Sequence, residues 1–95
     1  MENTEQDVID WHKETFPKST IVAIHDKLLE EILELQDSTD VRDIVDEIAD
    51  VAIVSIVLLN RFNTSLSKQV RKKLEINKNR TWGTETTNGD RPRVK

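Results

Sequence analysis

Two carboxylate pairs stand at helical spacing in this chain. Glu31 and Glu34 lie three residues apart, preceded by Glu30, and Glu47 and Asp50 repeat the interval. On an α-helix such a pair shares one face. Over residues 21–35, Ile21, Ile24, Leu28, Ile32 and Leu35 form an apolar stripe. At about 100° per residue, Glu31 falls inside that stripe between Ile24 and Leu35, Glu34 lies at its edge, and Glu30 points away. Glu47 and Asp50 align with Val51, Val54 and Leu58. Four carboxylates therefore head into an apolar interior, where they are prohibitively costly unless neutralised. Hard divalent cations with oxygen ligands, Mg²⁺ above all, resolve that cost. A lone pair of this kind is ordinarily a solvated face. Two pairs inside apolar stripes favour a metal site.

A complement follows downstream. Lys73, Asn77 and Arg80 stand at i, i+4 and i+7, on the face that carries Leu66 and Val70. A cation, an amide and a guanidinium in one line suit a polyphosphate. Taken alone, they equally suit a helix end whose cations face the C-terminal dipole. Trp11 and Trp82 are the only large flat side chains besides Phe16 and Phe62. Trp11 can stack on a nucleobase, although packing accounts for both tryptophans as well. His12 and His25 read as surface or satisfied histidines.

The elements that must position these residues are helices. Two glycines and two prolines leave little punctuation for a many-stranded sheet, and Leu, Glu, Lys and Ile favour helix. A first helix is expected over residues 5–15, capped by Thr4 and broken at Phe16-Pro17. A second starts at Ser19 or Thr20 and runs to about residue 36. Asp40 caps a third over residues 41–61, and a fourth extends over residues 65–80. The short loop at residues 37–40 makes the second and third helices antiparallel neighbours. Residues 1–82 form one helical domain, and residues 83–95, without periodicity, are expected to be a mobile tail.

Composition sets further bounds. Ninety-five residues without cysteine make a single domain with neither disulfide nor thiolate metal site. Residues 1–67 carry 5 basic and 15 acidic side chains, and residues 68–95 carry 9 and 3. Solvated faces with a basic tail would account for this, as would an acidic half that holds cations and a basic half that faces an anion. From Ile48 to Leu59 apolar residues point all round the helix axis. A helix of that kind must be buried all round. Three short helices can hardly cover it, so a second copy is the expected cover. No signal peptide and no membrane span are expected, which makes a cytoplasmic protein the default. Nucleic acid is not an expected partner, because no recognition module is present.

Glu30-Glu31-x-x-Glu34, Glu47-x-x-Asp50 and Lys73-x-x-x-Asn77-x-x-Arg80 together resemble the signature of the MazG-like all-α pyrophosphohydrolases. The flanks Trp11-His12-Lys13-Glu14-Thr15-Phe16-Pro17 and Asn77-Lys78-Asn79-Arg80-Thr81-Trp82-Gly83 are similar to the phage-associated dATP/dGTP pyrophosphohydrolases, the MazZ-type branch. The similarity covers about residues 8–83. It implies a four-helix, bundle-like fold with its active site between antiparallel helices, completed by assembly into a homodimer or tetramer. It also implies cleavage of a purine (d)NTP, dGTP or dATP, to the monophosphate and pyrophosphate. Glu31, Glu34, Glu47 and Asp50 would then be the catalytic metal ligands for two or more Mg²⁺ ions, with Mn²⁺ as a substitute. Lys73, Asn77 and Arg80 would hold the triphosphate, and Trp11 the base. If the chain is phage-encoded, the cytoplasm is the host's.

The residues agree with that chemistry. No Ser–His or Cys–His pairing suggests itself and there is no glycine-rich phosphate loop. Attack on the α-phosphorus is therefore expected from a metal-activated water, with Glu34 or Asp43 accepting its proton. Two rivals remain: an enzyme for pyrimidine nucleotides (dCTP or dUTP), and a non-catalytic helical adaptor. A di-iron bundle is disfavoured, since it wants Glu-x-x-His where this chain has Glu34 and Asp50.

Overall fold

Four helices follow one another: α1 (Thr4–Thr15), α2 (Ile21–Asp37), α3 (Val41–Arg61) and α4 (Leu66–Lys78). The computed structural model describes residues 3–86 and 89–92, and among these no β-strand forms. Each helix begins at a side chain that takes up a free amide of its first turn. Thr20 Oγ1 accepts from the Ala23 amide at 3.1 Å, Asp40 Oδ1 from Arg42 at 2.8 Å, and Ser65 Oγ from Lys68 at 3.1 Å. For α1 the cap is Asn3, whose Oδ1 accepts from Gln6 at 3.1 Å. This corrects the expectation of Thr4, which instead occupies the first helical position.

The ends have equally local causes. Pro17 disfavours helical backbone at Phe16 and offers no amide, so α1 stops at Thr15. After α3, Asn63 takes φ 60° and its amide donates to the Asn60 carbonyl at 3.1 Å. α4 ends at Lys78, short of the expected Arg80. There the carbonyls of the last turn are taken from outside the helix. Trp82 Nε1 donates to the Asn77 carbonyl at 2.9 Å, and the Asn79 side-chain amide donates to that of Glu75 at 2.9 Å.

The three residues between α2 and α3 turn the chain back, and these two helices make the main packing of the molecule. α1 lies on α3, and Arg61 Nη1 donates to the Ser19 carbonyl at 2.7 Å, tying the end of α3 to the α1–α2 connection. α4 packs on α3, and its first turn is held by α1: the Glu5 carboxylate accepts from the Ser67 hydroxyl and from the Ser67 amide at 3.3 Å. The described residues beyond Gly83 turn back toward it. The Gly83 amide donates to the Pro92 carbonyl at 2.7 Å and the Thr86 amide to that of Asp90 at 2.6 Å. A Cβ on Gly83 would meet Pro92 at 2.8 Å, so the close approach requires glycine there.

Among the described residues the buried apolar core consists of Ile24, Ile56 and Val57 alone. Val22, Leu29, Leu33, Val41, Val45 and Ile48 are exposed. The radius of gyration is 16.1 Å, against about 12 Å for a compact domain of this length. The apolar surface of α2 and α3 thus exceeds what one copy covers. No helix of the described residues is long and apolar enough to cross a membrane.

Candidate active site

The geometry at the α2–α3 seam follows from the helical period. An i, i+3 step turns about 60° around the axis, so the second carboxylate of each pair leaves the buried line. Glu31 is buried, at 6% exposure, and Glu47 is half-buried; Glu34 and Asp50 are exposed. This corrects the expectation that all four carboxylates enter the interior. Carboxylate oxygens of Glu31, Glu34 and Glu47 nevertheless lie within 4.8 Å of one another. Asp50 stands outside that group but lines the same cavity as Glu31, and its charge is felt at Glu47.

The electrostatics of the group are those of acids forced together. Burial pushes the Glu47 carboxyl up, helped by the charge of Glu34, a hydrogen bond with Glu31 and the charges of Glu31 and Asp50, to about 7. Burial raises Glu31 too, but the Lys27 ammonium and hydrogen bonds from Glu34 and Glu47 outweigh it and hold its carboxyl below the ordinary range. The cause is an ion pair within α2: Lys27 Nζ lies 3.1 Å from Glu31 Oε1. Two buried oxygens have no partner, Glu31 Oε2 and Glu47 Oε2. Buried acceptors left without a donor are costly. An all-oxygen cluster with two such orphans fits a hard divalent cation.

Beside the carboxylates is a cavity of about 440 Å³. Its walls are apolar (Phe16, Ile24, Ile53, Val54 and Val57), with Trp11 and His12 contributed by α1 and Lys27, Glu31 and Asp50 at the polar end. Trp11 and Phe16 meet edge to face, 5.9 Å apart at 87°, and the His12 ring lies 5.2 Å from Phe16. His12 is half-buried. Burial, with the nearby Arg61 charge, lowers its pKa and keeps the ring neutral near pH 7. Sequence reasoning missed His12 as a wall of the site. Its signal was weak: one residue after Trp11 and four before Phe16. It missed Lys27 as well, although the i, i+4 relation to Glu31 was in view. His25, by contrast, is exposed and lies 3.8 Å from Asp26.

The phosphate-binding candidates are placed elsewhere. Arg80 lies beyond the end of α4 rather than on its face, which corrects the expected i+7 alignment. Its Nη1 donates to Asn77 Oδ1 at 3.0 Å, so the two remain joined. Lys73 and Asn77 border a shallow hollow with Gln69, Val70 and Leu74. None of Lys73, Asn77 and Arg80 lines the carboxylate cavity.

Known proteins extend this picture. The pattern of the dATP/dGTP pyrophosphohydrolases matches residues 4–95. Among solved structures, the chain is similar to a cyanophage S-2L MazG-like pyrophosphohydrolase bound to dGDP and three catalytic Mn²⁺ ions per active site. The identity is 30% and the TM-score 0.75, over 96% of this chain and 89% of that one. None of the curated proteins matches. With nearly every described residue inside the family's pattern, and a four-helix fold to go with it, the chain belongs to the dATP/dGTP pyrophosphohydrolase family.

Proposed function

We propose that the chain hydrolyses dATP or dGTP to the monophosphate and pyrophosphate, using Glu31, Glu34, Glu47 and Asp50 to hold divalent cations. The observation that carries this reading is the cluster of Glu31, Glu34 and Glu47, with two partnerless buried oxygens, beside an aromatic-walled cavity. When bound, the cations, Mg²⁺ or in its place Mn²⁺, offset negative charge on the phosphates and make water more acidic. Two or more per site match the number of carboxylates, and the related cyanophage enzyme carries three Mn²⁺.

The chain's own residues do the rest. Glu31 and Glu47 hold the inner edge of the site through their buried oxygens, and Glu34 and Asp50 hold its solvent side. Water attacks the α-phosphorus, the bond to the α–β bridging oxygen breaks, and pyrophosphate leaves. The water's proton passes to a carboxylate within reach. Both Glu34 and Asp43 are exposed, but Glu34 suits that role better, in addition to its hold on the cations, because it is grouped with Glu31 and Glu47 and Asp43 stands outside that group. Trp11 and Phe16 form a wall against which a purine can stack. Lys73, Asn77 and Arg80 hold the triphosphate, and since they lie outside the carboxylate cavity of their own chain, a second copy brings them to it. A homodimer, or a tetramer built from dimers, would also cover the apolar surface of α2 and α3. The setting is the cytoplasm, that of the host cell if the chain is phage-encoded.

The test is incubation with each of the eight common (d)NTPs and Mg²⁺, with the products identified. dATP or dGTP should give dNMP and pyrophosphate, and EDTA should abolish the reaction. Release of dNDP and orthophosphate would place the cut at the wrong bond. Preference for dCTP or dUTP would restore the pyrimidine reading, and no turnover at all would restore the adaptor.

A further inference from the structure

We infer that Lys27 is the resident counter-cation of the metal-free carboxylate site: it leaves Glu31 when a divalent cation binds and then contacts the nucleotide's phosphates. The inference rests on the reading of Glu31 as a metal ligand. Lys27 Nζ lies 3.1 Å from Glu31 Oε1 and 3.9 Å from Glu30 Oε2. Glu31 is the most buried acid described, its side chain 7% exposed, while that of Lys27 is 52% exposed. The ammonium therefore reaches from solvent to a buried anion on a flexible four-carbon stem, and can withdraw without opening the core. Its order along α2, Lys before Glu, is the less favourable one for an i, i+4 pair, so helix stability alone does not account for it. The pairing is also incomplete, since Glu31 Oε2 keeps no partner.

A cation held by Glu31 would stand within a few ångströms of that ammonium, and like charges so close in a partly dry setting repel strongly. Lys27 then has two destinations. Glu30 is already near, on the solvent side, and the cavity that Lys27 lines with Trp11 and Asp50 is where the nucleotide is proposed to sit. An ammonium at that rim meets an anionic phosphate. One side chain thereby neutralises Glu31 before the metal arrives and the substrate after it.

The experiment is calorimetric titration of the nucleotide-free full chain with Mn²⁺, for wild type, Lys27→Met, Lys27→Gln and Glu31→Gln, with helix content checked by circular dichroism. Methionine keeps much of the apolar stem and removes the charge; glutamine shortens it but stays polar. Both Lys27 variants should bind Mn²⁺ about three- to tenfold more tightly than wild type, because a competing cation is gone. At saturating Mn²⁺ both should show a KM for the dNTP raised several-fold. Mn²⁺ affinity that is unchanged or weaker in both would overturn the inference while leaving the metal site intact, provided Glu31→Gln loses Mn²⁺. Tighter Mn²⁺ with unchanged KM would remove the phosphate contact. If the wild type takes up no Mn²⁺, the metal-site reading itself fails and the role of Lys27 with it.

Discussion

Substituting Glu47 by glutamine in the metal-free protein separates a carboxylate cluster built for cations from an ordinary acidic surface. The Glu47 carboxyl is pushed up from 4.5 to about 7. A group whose folded pKa exceeds its unfolded value takes up a proton on folding. Its contribution to stability is fully present below the unfolded value and is lost as pH rises through the folded one. With those two values, the folded carboxyl holds roughly 0.9 of a proton at pH 6 and roughly 0.1 at pH 8, while the unfolded one holds almost none at either. The contribution is therefore lost mainly between pH 4.5 and about 7, and the last of it is gone by about pH 8. His12 works the other way there: burial depresses its pKa, so its contribution grows as pH rises toward the ordinary histidine value. The informative quantity is thus the difference between Glu47→Gln and wild type, in which His12 cancels.

The assay is thermal unfolding in EDTA at fixed protein concentration, in half-unit steps from about pH 4 to 8. Below pH 4.5 glutamine stands in for an acid that is protonated in both the folded and the unfolded chain, and the two proteins should melt together. By pH 8 the wild type carries an additional anion among Glu31, Glu34 and Asp50, and the mutant should melt above it. With Mg²⁺ the order should reverse. A cation at 100 times its Kd adds about 2.7 kcal/mol to the folded wild type, roughly 10–20 °C for a domain of this size. The mutant should gain less and lose nearly all activity. A difference that stays flat from about pH 4 to 8, or a mutant that falls further below wild type as pH rises, would refute the placement of Glu47 among repelling acids.

Arg80→Ala should lower kcat/KM by tens-fold, an order of 2 kcal/mol for a charge-assisted phosphate contact, and should barely move the melting temperature, because Arg80 lies past the end of α4. Unchanged kinetics would reduce it to a partner of Asn77. Stability should also rise with protein concentration. A folded species of 11.0 kDa in light scattering at micromolar concentration would count against the proposed assembly.

The sequence showed where the helices lie because their flanks carry strong caps: Thr20, Asp40 and Ser65 all cap as their positions suggest. Asn3 and Thr4 are both good caps and adjacent, so propensity could not choose between them. The buried depth of Glu31 is readable because Ile24, Leu28 and Leu35, buried or half-buried, fix the direction of α2, although Ile21 and Ile32 of the expected stripe are exposed. On α3 the apolar residues point all round, so the sequence offers no single direction, and Glu47 and Asp50 lie less deep than their alignment with Val51, Val54 and Leu58 suggests. Lys27 is hard to read from the sequence for a related reason. An i, i+4 charge pair is ordinarily a solvated ornament of a helix, and only the burial of its partner makes this one different. Arg80 falls two residues past the helix rather than on it, because side-chain donors from Trp82 and Asn79 closing the last turn are not visible in a propensity pattern.

Among the described residues three buried apolar side chains make a small core, and a costly polar arrangement, Glu31 against Glu47 with two partnerless oxygens, lies on the same α2–α3 seam that carries Ile24. A chain selected for stability alone would have filled these positions with apolar residues, since replacing buried ions by well-packed hydrophobes is often neutral or stabilising. In the proposed enzyme the acids mark where stability is yielded to chemistry. The deficit can be made good from two directions, cations on the carboxylates and a second copy on Val45, Ile48 and Leu29, which are exposed on the same two helices. These two supports are coupled in the proposed enzyme. Both act on the α2–α3 pair, so cation binding should tighten assembly and assembly should raise cation affinity by the same factor. Metal removal should accordingly shift the protein concentration needed for folding, and dilution should weaken Mn²⁺ binding in step.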